Sequence, residues 1–105
     1  MRIYGLKACD TCRAAVKALD GAVLVDIREA PLEPAQIEAF YAAFGEALIN
    51  RRSTTWRTLT DDERALEPAA LITAHPTVMK RPVIEATDGA LTLGWTAEVR
   101  ARYGL

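Results

Sequence analysis

The spacing of apolar residues predicts a strand, a helix and a second strand within the first 27 residues. Residues 1–6 are rich in β-prone side chains. From Asp10 the apolar residues recur at helical spacing, at Cys12, Ala15, Val16 and Leu19. Gly21 is the expected helix end, and the nearly continuous apolar run over residues 22–27 predicts a strand covered on both faces. This order is a βαβ unit, so the two strands are expected to be parallel.

The middle of the chain, residues 28–75, has a helical pattern divided by stop signals. Pro34 is suited to the first turn of a helix that ends at Gly45. Shorter helical segments are expected over residues 46–50, from the capping box of Thr60 and Glu63, and from Pro68 up to Pro76.

Strand patterns return after Pro82. Residues 83–85 and 91–93, joined by a turn at residues 87–89, predict an antiparallel hairpin. Thr96 is suited to cap a C-terminal helix. We therefore predict a single α/β domain, residues 1–105, with a thioredoxin-like core and a mixed four-stranded sheet. The core would comprise about residues 1–28 and 76–105, and a helical insert would fill about residues 29–75.

Composition and charge exclude several function classes. The chain has 105 residues, with 13 Lys and Arg against 14 Asp and Glu, and a formal net charge of −1. This balance argues against a nucleic-acid binder that relies on phosphate contacts. The longest apolar run, residues 39–44, is too short to cross a bilayer. The N-terminal stretch has strand character instead of a signal-peptide pattern, so we expect a cytoplasmic protein with no membrane or direct nucleic-acid partner.

The two cysteines stand three positions apart, as Cys9-Asp10-Thr11-Cys12. A structural zinc site needs more ligands than His75, the single histidine, can add, so no metal is expected. A C-x-x-C motif beside a βαβ pattern is typical of thioredoxin-like redox sites. At a helix N-terminus Cys9 would be favoured as a thiolate, with Lys7 nearby in sequence. Cys12 would then resolve a mixed disulfide on Cys9, or it is only a buried core residue.

Arg81-Pro82, just before a predicted strand, is a second signal. Thioredoxin-like folds place a cis-proline there, facing the nucleophile. Arg81 would then point toward the thiolate and bind an anionic substrate or a glutathione carboxylate. The alternatives are an ordinary trans-proline at a strand start and an exposed surface arginine.

Two further segments carry alternatives. Residues 51–57 concentrate three arginines around Trp56, and form either an anion pocket or partner surface, or a solvated face with one core tryptophan. Trp95 is expected in the core or as a lid over the site. His75 is expected as a turn or capping residue.

Four motifs together resemble the arsenate reductase/Spx-like family, and in particular its YffB-like branch. They are Tyr4-Gly5-Leu6-Lys7-Ala8-Cys9-Asp10-Thr11-Cys12, the stretch of residues 48–57, Met79-Lys80-Arg81-Pro82-Val83, and Leu93-Gly94-Trp95. The resemblance spans essentially the whole chain. It implies a thioredoxin-like core with a helical insert, with Cys9 as nucleophile, Arg81 as the arginine before the cis-proline, and Pro82 as that proline.

The resemblance implies three kinds of function. Members of the YffB-like branch are glutathione-dependent thiol reductases, Spx regulators bind the α subunit of RNA polymerase and switch through a C-x-x-C disulfide, and arsenate reductases use three arginines with glutathione. This chain departs from the arsenate reductases. It has Gly5 where they have a histidine, Glu46 where they have an arginine, and Gly94 or Trp95 near their last arginine. An arsenate dianion would thus lose most of its charge-assisted contacts, each worth about 1.5–3 kcal/mol.

Our leading hypothesis is a thiol–disulfide oxidoreductase with no bound cofactor and glutathione as co-substrate. The catalytic residues would be Cys9, Cys12 and Arg81, and the substrate or glutathione would contact Lys7, Arg57, Arg81 and Pro82. The alternatives are an Spx-like regulator that binds the RNA polymerase α subunit and an arsenate reductase.

Overall fold

The computed structural model describes all 105 residues, which divide into two units. A sheet-containing unit comprises Met1–Ala30 and Arg81–Leu105, and a helical unit comprises Pro31–Lys80. The sheet-containing unit has strands β1 (Arg2–Gly5), β2 (Val23–Asp26), β3 (Val83–Glu85) and β4 (Leu91–Leu93), and helices α1 (Asp10–Ala18) and α6 (Ala97–Arg102). The helical unit has α2 (Pro34–Phe44), α3 (Thr54–Thr58), α4 (Asp61–Arg64) and α5 (Pro68–Ala74), with 3-10 turns at Gly45–Leu48 and Pro76–Val78. None of these helices is long and apolar enough to cross a membrane.

The sheet is mixed and four-stranded, in the order β2-β1-β3-β4. β1 pairs with β2 in parallel, and Ile3 lies opposite Leu24. β1 pairs with β3 antiparallel, and β3 with β4 antiparallel, as a hairpin. The predicted α/β class, the thioredoxin-like arrangement and the mixed sheet are confirmed.

The core of the sheet-containing unit forms where α1 meets the two central strands. Ile3 and Ile84 are directly paired across β1 and β3 and have no exposed surface. They pack with Ala15 of α1 and with Leu19, the residue that caps the C-terminal end of α1. Trp95 is partly buried against this cluster, which agrees with its expected place in the core. Burial of these apolar side chains is the main stabilising contribution to this unit.

The second strand differs from its prediction. The apolar run at residues 22–27 predicted a strand covered on both faces, but β2 lies at an edge of the sheet. Val23 is 60% exposed, and Leu24 and Val25 are only partly buried. A continuous apolar run is typical of a central parallel strand. The run does not encode the order of the strands in the sheet, and that order places β2 at the edge.

In the helical unit, α2 packs against α5. Pro34 begins α2 and Gly45, with φ of 60°, ends it, as predicted. The expected helix over residues 46–50 is wrong in part, because the turn ends at Leu48 and Ile49 is extended. Ile49 forms an antiparallel bridge with Met79, and Asn50 N donates to the Val78 carbonyl at 2.8 Å. Pairing with a distant segment thus overrides the local helical preference.

Candidate active site

Cys9 lies at the junction of β1 and α1, as the N-cap residue of the helix. Its backbone is extended, with φ −85° and ψ 117°. Its N–H donates to the Leu6 carbonyl at 3.1 Å, and its carbonyl accepts from Arg13 N at 3.0 Å. These bonds fix the turn between strand and helix and leave the Cys9 side chain partly exposed.

A buried carboxylate holds the loop before Cys9. Asp26, at the end of β2, is 8% exposed. Its Oδ2 accepts from Lys7 N at 2.9 Å, and its Oδ1 accepts from Arg28 N at 2.9 Å and Glu29 N at 3.3 Å. The bond from the Lys7 N–H, followed by smaller contributions from Arg28 and Glu29, lowers the pKa of Asp26. The sequence analysis did not identify Asp26 as a site residue. The one signal was that an acidic side chain interrupts the apolar run of residues 22–27.

The environment of Cys9 favours its thiolate. Partial burial raises the pKa of Cys9, but the backbone N–H and the thiol of Cys12 oppose this, as do the charge of Arg81 and the N–H of Thr11. The net result is a pKa below the ordinary thiol value. Helix α1 begins at Asp10, directly after Cys9, and the N–H groups at the start of the helix stabilise the ionised sulfur.

Cys12 has the opposite character. It has no exposed surface, and burial raises its pKa to about 11, with further increases from the neighbouring Cys9 thiolate. The N–H of Leu6 and the charge of Arg81 partly offset this rise. Cys12 therefore keeps its proton while Cys9 is ionised, and its thiol acts as a donor toward the Cys9 sulfur. A thiolate nucleophile beside a second thiol, which can resolve a mixed disulfide, is an arrangement suited to thiol–disulfide exchange.

Arg81 and Pro82 lie at the start of β3. The Arg81–Pro82 peptide bond is cis, which confirms the expectation for this position. Pro82 is fully buried, and its carbonyl accepts from Gly94 N at 2.8 Å. The charge of Arg81 lowers the pKa of both cysteines. The structure thus brings Cys9, Cys12 and Arg81 into one electrostatic cluster.

Lys7 is directed to another group. Its Nζ lies 2.7 Å from Glu29 Oε2, and this exposed pair raises the pKa of Lys7. Arg13, the other cation close to Cys9 in sequence, forms an ion pair with the Asp10 carboxylate. Both cations near Cys9 in sequence therefore have acidic partners, and a role of Lys7 in ligand binding stays a prediction.

In the helical unit, two arginines flank Trp56. The guanidinium carbons of Arg51 and Arg64 each lie 5.3 Å from the Trp56 ring centroid. Arg51 also binds Glu46 at 2.6 Å, and Arg64 donates to the Trp56 carbonyl at 3.1 Å. Trp56 is half-buried, and both alternatives for this segment stay predictions.

Arg57, the predicted ligand residue of this segment, is exposed at the end of α3, where its carbonyl accepts from Arg64 at 3.3 Å. Its role in binding also stays a prediction.

His75 follows α5 as its C-cap residue, and its Nε2 lies 2.9 Å from Glu63 Oε2. This agrees with the capping role expected for His75.

The sequence is similar to a known protein family and to a known bacterial protein. The family model described as ArsC family matches residues 4–102. An uncharacterized protein of Haemophilus influenzae is 34% identical over 102 residues, covering 89% of each chain.

Solved structures share the fold. The YFFB protein has a TM-score of 0.82 at 28% identity, covering 96% of both chains. An arsenate reductase (ArsC) related protein from Brucella melitensis has a TM-score of 0.72 at 31% identity, covering 98% of this chain and 92% of that one. A possible arsenate reductase from Streptococcus mutans has a TM-score of 0.73 at 23% identity, a likeness of fold alone that covers 96% of both chains.

Proposed function

We propose that this chain, which belongs to the ArsC family, is a thiol–disulfide oxidoreductase that uses Cys9 as nucleophile and glutathione as co-substrate. One observation supports it above the others: the partly exposed Cys9 has a lowered pKa and lies beside a fully buried, protonated Cys12. A purely structural cysteine pair has no need of this difference in ionisation.

The reaction begins with attack of the Cys9 thiolate on one sulfur of a substrate disulfide. The substrate S–S bond breaks, one half leaves as a thiol after taking a proton, and the other half stays joined to Cys9. Cys12 then loses its proton and attacks the Cys9 sulfur, which releases the second half and leaves a Cys9–Cys12 disulfide. Two glutathione molecules restore both thiols and become glutathione disulfide, so two electrons pass to the substrate in each cycle.

Arg81 and Pro82 complete the proposed site. The guanidinium of Arg81 favours the Cys9 thiolate and offers paired N–H donors to a glutathione carboxylate. Pro82, which follows it, is fully buried, so its proposed role is to position Arg81 and not to contact the substrate. Lys7 is proposed as a further contact for the anionic co-substrate.

Turnover of a small disulfide with glutathione tests this proposal. Glutathione disulfide production is followed for the wild type, Cys9→Ser and Cys12→Ser. Loss of activity in Cys9→Ser, with slower turnover in Cys12→Ser, is expected. Activity that survives in Cys9→Ser would contradict it. Absence of thiol turnover, together with redox-dependent capture of the RNA polymerase α subunit, would favour the regulator instead.

Arsenate reduction is a second candidate, because the Brucella melitensis protein, 31% identical, is named as related to an arsenate reductase. In that reaction arsenate would be reduced to arsenite while two thiols are oxidised to one disulfide. Gly94 and the half-buried Trp95 offer no cation for the oxyanion in this chain. The test is arsenate-dependent oxidation of glutathione, for which we expect a rate well below that of disulfide reduction.

A further inference from the structure

Gly5 lies next to Cys12 without any conformational reason to be glycine. It is the buried last residue of β1, paired with Asp26 of β2. Its φ is not among the positive values that five other glycines adopt. Glycine within a strand is unfavourable because it has no side chain to pack. A requirement for space, not for backbone conformation, accounts for glycine at this position.

The Cys12 thiol occupies that space. A Cβ atom on Gly5 would lie far inside van der Waals contact of Cys12 Sγ and 3.2 Å from Cys12 Cβ, but at an ordinary 3.9 Å from Leu24 Cδ1. Nonbonded carbon atoms in proteins lie at about 3.5–4.0 Å. The conflict is therefore almost entirely with the thiol, and it would force Cys12 to move.

Two neighbouring groups also interact with the thiol. The N–H of Leu6, the residue after Gly5, lowers the pKa of Cys12, and the Cys12 thiol lowers the pKa of Cys9. Cys12 has no exposed surface. A sulfur in this position is closed to solvent and open toward Cys9.

We infer that Gly5 is a positioning residue, which seats the Cys12 thiol against β1 so that Cys12 is shielded from external reagents and reacts only with Cys9. This inference deepens the proposed function and rests on it. Seating Cys12 in this way sets the order of events, since a substrate disulfide meets Cys9 first and Cys12 acts only on the intermediate joined to Cys9.

Alkylation of the full-length reduced protein with iodoacetamide, read by mass spectrometry at each cysteine, tests the inference. In the wild type, Cys9 is labelled and Cys12 is protected. In Gly5→Ala, we expect Cys12 labelling to be at least tenfold faster. The pH midpoint of Cys9 labelling should rise by about one unit, toward that of Cys12→Ala, because a displaced thiol no longer acts on the Cys9 sulfur. Ile3→Val, in the same strand, controls for a general loss of stability and should leave both readouts unchanged.

The double variant Gly5→Ala/Cys12→Ala separates the thiol from other effects of the added methyl group. Removal of the sulfur should restore most of the melting temperature lost in Gly5→Ala, even if that single variant fails to fold. A double variant that remains unfolded would overturn the inference. So would a Gly5→Ala protein with wild-type labelling while Cys12→Ala shifts the midpoint. If Cys12→Ala itself leaves the midpoint unchanged, the Cys12 thiol does not act on Cys9 ionisation, and the inference is then decided by the labelling rate of Cys12 in Gly5→Ala, where a wild-type rate would overturn it.

Discussion

Replacement of Asp26 with asparagine should destabilise the loop that carries Cys9. The Asp26 carboxylate uses both oxygens, since Oδ1 accepts from Arg28 N and Glu29 N, and Oδ2 accepts from Lys7 N. Asparagine keeps one oxygen but places an NH2 group at the other position. If the remaining oxygen serves Arg28 and Glu29, the Lys7 N–H faces a second donor.

The size of the effect follows from the bond that is lost. A hydrogen bond to a charged group contributes about 1.5–3 kcal/mol, and an unmade bond costs the most where the partner is buried. Asp26 is 8% exposed, so we expect Asp26→Asn to lower the free energy of unfolding at pH 7 by about 1.5–3 kcal/mol. The melting temperature should fall by about 4–8 °C for each kcal/mol.

Acidification adds a second, independent readout. The folded pKa of Asp26 is lowered, so its contribution is present above the unfolded value of about 3.9 and is lost as the pH falls through the folded value. The stability difference between wild type and Asp26→Asn should therefore shrink at low pH. Urea unfolding from pH 7 to pH 3 measures it, and hydrogen exchange of the Lys7 amide locates it.

Asp20→Asn is the matched control, because it removes the same charge from an exposed position close to β2 in sequence. It should change the free energy of unfolding by less than about 0.5 kcal/mol. If Asp26→Asn behaves like this control and the Lys7 amide keeps its protection, the reasoning about the loop is refuted.

Three further predictions concern stability, each measured by urea unfolding. The wild-type free energy of unfolding should fall as the pH rises from about 8.5 to about 11. The reason is that folded Cys12 keeps its proton up to about 11, while an unfolded thiol ionises near 8.5. Cys12→Ala should remove this alkaline loss of stability, and an unchanged alkaline profile in the variant would contradict the reasoning. Thr60→Ala removes the acceptor of the Glu63 N–H at 3.2 Å and should cost about 0.5–2 kcal/mol, whereas a neutral result would show that the capping box does not stabilise α4. Ile84→Ala, at a site with no exposed surface, should lower the free energy of unfolding by about 2–5 kcal/mol. Val23→Thr, at a position of β2 that is 60% exposed, should lower it by less than about 0.5 kcal/mol. Equal losses of stability in the two variants would contradict the assignment of the core.

Local signals in the sequence predicted much of the fold. The hairpin of β3 and β4 has the bounds that alternation and the turn at residues 87–89 predicted. Thr96 accepts from Val99 N at 3.2 Å, as expected of an N-cap residue. These features depend on neighbours in the chain, so sequence alone is sufficient. The edge position of β2 and the extended Ile49 depend on distant partners, and no local pattern encodes them.

The candidate site shows the same division. The Cys pair, the helix N-terminus at Cys9 and the cis bond before Pro82 were expected from motifs. The loop anchor Asp26 and the space that Gly5 leaves for Cys12 came only from the structure. Both features depend on how β1 packs beside β2 and α1. Lys7 and Asp26 are 19 positions apart in the sequence, and Gly5 and Cys12 are 7 positions apart.

The measurement that tests the central claim most directly is the pH dependence of Cys9 alkylation in the reduced wild-type protein, with Cys12→Ala as comparison. An activated nucleophile requires a midpoint well below the free-thiol value of about 8.5. The midpoint should be higher in Cys12→Ala, because alanine has no donor that can act on the Cys9 sulfur. A wild-type midpoint at or above about 8.5 would contradict the assignment of Cys9 as the nucleophile of a thiol–disulfide oxidoreductase.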